Sequence, residues 1–308
     1  MKKLALIGAV LFSLGASCAR TPGPTTTQGI ATQPQGGARY LYVSDAKAVD
    51  GSGSNELLVY QLGDQSSGPI RSVQFSAEPT GVAVDAAGDV YIAVASTVLE
   101  YSPGATDLIA TIDNGVHGAT GLAFDAAGNL YVANRGIATK KVPSPQPYIS
   151  EYAPGVQHAL TTKVTVPGQF LVDGIAVDRA GNIYASIQQS QGGFLVQVLP
   201  GGQTEKIIDG MAGMGGVAID PQGQLVAGAV GYVATYAGSP WRKVRRQVFP
   251  LQSVRLLTIA SDGTVVIPLR QTLPAPSVVI ERPTSSGLPY RITTGLHAPN
   301  GAAISPAH

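Results

Sequence analysis

The chain has one cysteine, Cys18, among 308 residues. It can therefore form no intrachain disulfide and no multi-cysteine metal cluster. Charged residues make up only 13%, about half the roughly 25% usual for globular chains. The formal net charge of +1 leaves no basic footprint for nucleic acid and no positively charged membrane-binding face. Beyond the first fourteen residues no apolar run is long enough to span a bilayer. There is no Gly-x-Ser-x-Gly elbow, no phosphate loop and no dinucleotide fingerprint. Turn formers, by contrast, are abundant. The 38 glycines and 22 prolines are about a fifth of the chain, where roughly an eighth is average, which argues against a helical protein. With 44% hydrophobic residues the chain can build a core and is not disordered.

The N-terminus reads as an export signal. Lys2 and Lys3 precede an apolar run from Leu4 to Leu14, and small residues follow up to Cys18. That order predicts a secretory signal over residues 1–17, too short for a membrane span. The segment Leu14-Gly15-Ala16-Ser17-Cys18 resembles a bacterial lipoprotein box, although Gly15 stands where the bulky residue is expected. The resemblance implies cleavage before Cys18, lipid on its sulfur and a membrane as partner. The alternative is an ordinary cut after Ala19, with Ser17 and Ala19 as the small flanking residues. Ala19 is also not the Asp linked to inner-membrane retention, which favours the outer membrane of a bacterial envelope. Residues 18–37 carry almost no bulky apolar side chain, so nothing offsets the entropy of ordering them, and they read as a flexible linker.

From residue 38 onward the sequence repeats. Thr80-Gly81-Val82-Ala83-Val84-Asp85-Ala86-Ala87-Gly88-Asp89-Val90-Tyr91-Ile92-Ala93 is followed by Thr120-Gly121-Leu122-Ala123-Phe124-Asp125-Ala126-Ala127-Gly128-Asn129-Leu130-Tyr131-Val132-Ala133. Further copies start at Asp173 and Gly216, and a degenerate one at Thr258. Each is two β-rich runs joined by an Asp-x-x-Gly turn. Asp bonds the backbone two residues on, and Gly supplies the positive φ. The positions Gly81, Gly121, Gly174, Gly216, Thr258 and Gly301 lie 40 to 43 residues apart except for one interval of 53, which carries an insertion over Asn134 to Pro147. Two further runs per copy, such as Val98 to Tyr101 and Leu108 to Ile112, make four strands, the content of a propeller blade. The C-terminal Asn300 to Ser305 supplies only a first strand, and the domain's N-terminal Leu41 to Asp45 only a following one. Joined, they complete a sixth blade and remove exposed edges. The expectation is an all-β, six-bladed propeller over residues 38–308.

The run Gly-[apolar]-Ala-[apolar]-Asp-x-x-Gly-Asn-[apolar]-Tyr is similar to the NHL repeat. It also resembles strands of the gluconolactonase (senescence-marker) and strictosidine-synthase-like propellers, over nearly all of residues 38–308. Trp241, the single tryptophan, speaks against a Trp-Asp-repeat propeller. The resemblance is specific for fold and places Thr80, Thr120, Asp173, Gly215, Leu257 and Asn300 at one mouth of a central channel. In gluconolactonase-like enzymes matching positions ligate a divalent cation such as calcium, which takes about six oxygens. Asp173 matches a ligand and proposed base, and Asn300 matches an amide-oxygen ligand. The expected Glu and second Asn are absent. The alternative is that both residues bond backbone amides at the starts of strands. His117 and His297, four residues before Gly121 and Gly301, are further candidate ligands or plain loop residues. Asp85, Asp125, Asp178 and Asp220 read as structural turn residues. Arg242, Lys243, Arg245 and Arg246 form a basic run beside Trp241, a solvated face or a contact for an acidic surface or the membrane. The leading expectation is an exported, lipid-anchored, monomeric, non-catalytic module binding a protein or glycan through loops 45–55 and 134–147. The alternative is a metal-dependent lactonase-like hydrolase.

Overall fold

Each repeat folds about its Asp-x-x-Gly turn. Asp85 Oδ1 accepts the N–H groups of Ala87 and Asp89, both at 2.9 Å. Gly88 closes the turn onto the Asp85 carbonyl at 3.2 Å with φ at +93°, a region where a Cβ is costly. The same pair of side-chain bonds recurs at Asp125, Asp178 and Asp220. The degenerate copy has Ala260 in place of the Asp. Its backbone bonds persist, Ala260 N–H to Thr264 O and Gly263 N–H to Ala260 O, and Asp262 Oδ1 takes over by accepting Thr264 N–H at 2.9 Å.

The computed structural model describes residues 39–62, 68–136, 146–156, 161–165, 171–190, 192–270, 276–281 and 290–306. The expected signal segment, Cys18, the expected linker and most of the 134–147 insertion lie outside them. No helix occurs among the described residues. The strands are β1 (Tyr40–Asp45), β2 (Glu56–Gln61), β3 (Arg71–Gln74), β4 (Pro79–Val84), β5 (Val90–Val94), β6 (Thr97–Tyr101), β7 (Leu108–Ile112), β8 (Ala119–Phe124), β9 (Leu130–Asn134), β10 (Tyr148–Tyr152), β11 (Thr161–Thr165) and β12 (Leu171–Val177). There follow β13 (Ile183–Gln188), β14 (Gly193–Val198), β15 (Thr204–Met211), β16 (Met214–Ile219), β17 (Leu225–Ala237), β18 (Arg242–Val254), β19 (Thr258–Ile259), β20 (Val265–Arg270), β21 (Ser277–Glu281), β22 (Tyr290–Ile292) and β23 (Pro299–Ile304).

Four sheets are four-stranded and antiparallel: β4-β5-β6-β7, β8-β9-β10-β11, β12-β13-β14-β15 and β23-β1-β2-β3. In the last, the final strand pairs with the first along Leu41↔Ile304, Tyr42↔Ala303 and Val43↔Ala302. The remaining strands depart from the four-per-sheet expectation. They form one seven-stranded sheet, β16-β17-β18-β20-β21-β22 with β19 on β20. β18 runs on to Val254 and pairs Ser253 with Arg270 and Val254 with Leu269. That extension welds two sequence repeats together.

The core lies between successive sheets. One cluster packs Tyr42, Leu57 and Val59 against Val82, Val90 and Ile92. Another sets Tyr91 and Ala93 against Leu122, Leu130 and Val132. The pattern continues repeat by repeat until Leu41, Val43 and Ala302 meet Val266, Val278 and Ile280. Each fully buried Leu or Ile contributes about 1.5–3 kcal/mol.

The first strands of the repeats lie nearly backbone to backbone, and glycine is what permits it. A Cβ on Gly121 would stand 2.6 Å from the Asp173 carbonyl oxygen, and one on Gly174 2.7 Å from the Gly216 Cα. Hydroxyl groups tie neighbours here. Thr80 Oγ1 donates to Ala119 O, Thr120 Oγ1 to Val172 O, and Thr258 Oγ1 to Ala302 O, at 2.8–2.9 Å. Ser186 Oγ donates to Gly215 O at 2.7 Å, and Ser44 Oγ donates to Thr80 O.

Candidate functional site

The first strands enclose two spaces of different character. The wider, about 450 Å³, is lined by strand bodies such as Val82, Leu122, Ile175, Val217 and Ile304. It is mostly apolar, and the Asp85 at its edge is committed to a turn. The smaller lies at the strand starts and is bounded by Thr80, Thr120, Arg135, Asp173, Gly215, Arg255, Leu256 and Asn300. At about 10 Å³ it has room for roughly one water molecule. Chemistry-bearing side chains meet in the second space, so it is the candidate site.

Five of the six positions expected at a mouth line this cavity, including both Asp173 and Asn300. The sixth is Leu256 rather than Leu257, because the degenerate strand enters differently: Leu256 makes a parallel bridge to Gly301 and its N–H bonds Asn300 O at 2.8 Å. Sequence reasoning missed two arginines. Arg135 follows the end of β9, and Arg255 sits in the short link between β18 and β19. Neither lies in the repeated motif, although a basic residue directly after a second strand was a legible signal.

The arginines change the electrostatics. Asp173, 6% exposed at its side chain, pairs with Arg135. Asn300, fully buried, accepts Arg270 Nη1–H on Oδ1 at 2.9 Å. Its Nδ2 donates to Glu78 Oε1 and Pro79 O, both at 2.9 Å. Among the described residues no backbone N–H donates to either side chain, but Asn300 does bond the backbone, at the Pro79 carbonyl where β4 begins. Burial alone would raise the Glu78 carboxyl, but the bonds from Asn300 and Arg270 hold it below the usual range. Burial pushes Arg255 below its ordinary value against the opposing pull of Asp173.

His117 and His297 do not reach the cavity. His117 is exposed and its Nδ1 meets the Tyr148 hydroxyl. Both histidines belong to a repeated loop device. His117 N–H donates to Asn134 Oδ1 at 2.7 Å, and His297 N–H donates to Asp45 Oδ2 at 2.8 Å. Asp45 also accepts Ala298 N–H at 2.8 Å and lies 3.1 Å from His297 Nδ1. Burial, outweighing these bonds, raises its carboxyl above the usual range. Asp45, Glu56 and His297 each offer a ligand atom within 4.8 Å of the others, but both Asp45 oxygens already fasten the loop before β23.

The basic run lies exposed on β18, with Arg246 stacked 4.2 Å over the Tyr232 ring and Trp241 edge-on to Tyr184 at 5.8 Å.

No family model and no curated protein matches the chain. Solved structures do. A protein of unknown function from Bacteroides caccae superposes with a TM-score of 0.64 at 13% identity, covering 87% of this chain and 99% of that one. A gluconolactonase-family protein gives 0.55 at 13%, covering 72% and 80%. A luciferin-regenerating enzyme gives 0.53 at 12%, covering 72% and 78%. At such low identity the likeness speaks for architecture: the chain has a gluconolactonase-like β-propeller fold.

Proposed function

We propose that the chain is an exported, lipid-anchored, six-bladed propeller acting as a non-catalytic binding module for a protein or glycan. Six blades are supported by six sequence repeats, by apolar clusters shared between each successive pair, and by the pairing of β23 with β1. The binding role rests on one observation. One carboxylate oxygen of Asp173 and the amide oxygen of Asn300, the two candidate ligands at the mouth, are already engaged by guanidinium groups, those of Arg135 and Arg270. Calcium favours several carboxylate and carbonyl oxygens with no competing cation. The residues present do not fit such an ion.

The lactonase reading draws on the likeness to a gluconolactonase-family structure. Metal analysis of the purified protein, with a lactone hydrolysis assay, separates the two. The binding reading expects no stoichiometric divalent ion dependent on Asp173 and no turnover. One ion per chain that is lost in Asp173→Ala, with hydrolysis lost alongside it, contradicts it. Export and anchoring rest on Lys2, Lys3, the apolar run and Cys18. Fractionation should find the wild type in the outer membrane and Cys18→Ala released from it; identical soluble behaviour removes the anchor.

A further inference from the structure

We propose that the mouth between Arg135 and Arg255 is a carboxylate-binding site, taking one monoanionic carboxylate end-on from the ligand or partner. This deepens the binding reading above and rests on it.

The argument begins with charge. Arg135, Arg255 and Asp173 line the cavity, which leaves one positive charge unmatched. Widening the circle adds Arg270 and Glu78, which pair with each other at 3.1 Å, and the excess remains one. A guanidinium stays charged in proteins, so the imbalance persists across the working pH range. An uncompensated charge beneath the surface is costly and calls for a counter-ion.

Donor geometry points the same way. The Nε atoms of Arg135 and Arg255 are both buried without a hydrogen-bond partner among the described residues. Arg135 spends Nη2 on Asp173, so its Nε is left over. Arg255 stands on a fixed backbone: its N–H donates to Pro268 O, and its carbonyl accepts Gly216 N–H, both at 2.9 Å. Buried donors ordinarily find acceptors. The missing acceptors and the missing negative charge fall at the same cavity.

Size selects the anion. The space holds about 10 Å³, enough for one small oxygen group and too little for a whole sugar or ring. Entering end-on, a carboxylate sets one of its oxygens in that space, where a bond from a charged donor to a charged acceptor is strong. Its single charge also matches the excess, whereas a phosphate dianion overshoots it. The rest of the ligand stays outside the cavity.

The test is an NMR titration of arginine Nε–H resonances in the purified full chain. The probes are acetate, its neutral shape analogue acetamide, and methyl phosphate, in a low-chloride buffer. Acetate should shift the Arg255 and Arg135 signals saturably, while acetamide leaves them in place and methyl phosphate binds more weakly. Arg255→Gln should weaken acetate by at least about tenfold, or about 1.4 kcal/mol, with its backbone spectrum retained. Arg255→Lys should fall between, keeping the charge but losing the planar fork. Equal response to acetate and acetamide, tighter binding of methyl phosphate, or unchanged acetate binding in Arg255→Gln each overturns the proposal. Should Arg255→Gln not fold, the wild-type probe comparison carries the test. Lactone turnover by a protein that binds acetate would overturn the non-catalytic reading and leave this site standing. Absent acetate binding in an inert protein does the reverse.

Discussion

Gly121→Ala is the sharpest probe of how the first strands meet. The added Cβ would lie 2.6 Å from the Asp173 carbonyl oxygen and 3.0 Å from both Gly174 Cα and Ile175 N. All three are backbone, so no side chain can swing aside. Relief requires one first strand to move away from the next by several tenths of an ångström. Overpacking of this kind costs about 1–3 kcal/mol, and the upper half applies because the obstacle is main chain. In a domain of this size each kcal/mol lowers Tm by roughly 2–4 °C. A fall of about 4–12 °C is therefore expected by differential scanning calorimetry. Gly201→Ala is the matched control, since nothing lies within 4 Å of its Cβ. Restricting the unfolded chain there should leave Tm unchanged or raise it by an amount worth about 0.4–1 kcal/mol. Equal melting of the two variants would refute the close approach of β8 to β12.

Further outcomes follow from single residues. Thr120→Val keeps the shape of a side chain only 1% exposed but removes its donation to Val172 O. It should cost about 1 kcal/mol in urea unfolding, and unchanged stability would deny the inter-strand tie. Bonds from Asn129, Ala127 and Tyr131 outweigh the effect of burial and hold the Asp125 carboxyl below its usual range. Its contribution is therefore present above the unfolded carboxylate value of about 3.9 and is lost as pH falls through the lower folded value. Wild type should accordingly melt above Asp125→Asn at about pH 6, with the gap closing near about pH 3. A gap that widens on acidification would contradict that sign.

Most of the fold was legible in the sequence because one device repeats. At Asp85, Asp125, Asp178 and Asp220 an Asp accepting two backbone N–H groups and a Gly with positive φ fix a hairpin locally, whatever surrounds it. The pairing of Leu41 to Asp45 with the last strand was legible too, since each end lacks what the other supplies. The welding of two repeats through Ser253 and Val254 was not; nearby Leu251 holds a φ of +60° in a residue type that does not advertise it. At the mouth, positions inherited from the repeat could be placed, Thr80, Thr120, Asp173, Gly215 and Asn300 among them. Arg255 could not, since it arrives from a link outside the motif, and Arg135 left only the signal of a basic residue directly after a second strand. Their charge nonetheless decides what Asp173 and Asn300 can do. The histidines were legible as loop residues, but their partners Asn134 and Asp45 are equivalent only once strands are aligned in space.

The most direct test of the central claim, a propeller closed by its own two ends, is removal of residues 296–308. This takes away β23 and strips β1 of one of its two partners, exposing Tyr42 and Val43, both now fully buried. The account predicts an insoluble product, or one without a cooperative melt. A soluble truncated protein that unfolds in a single sharp transition would contradict it.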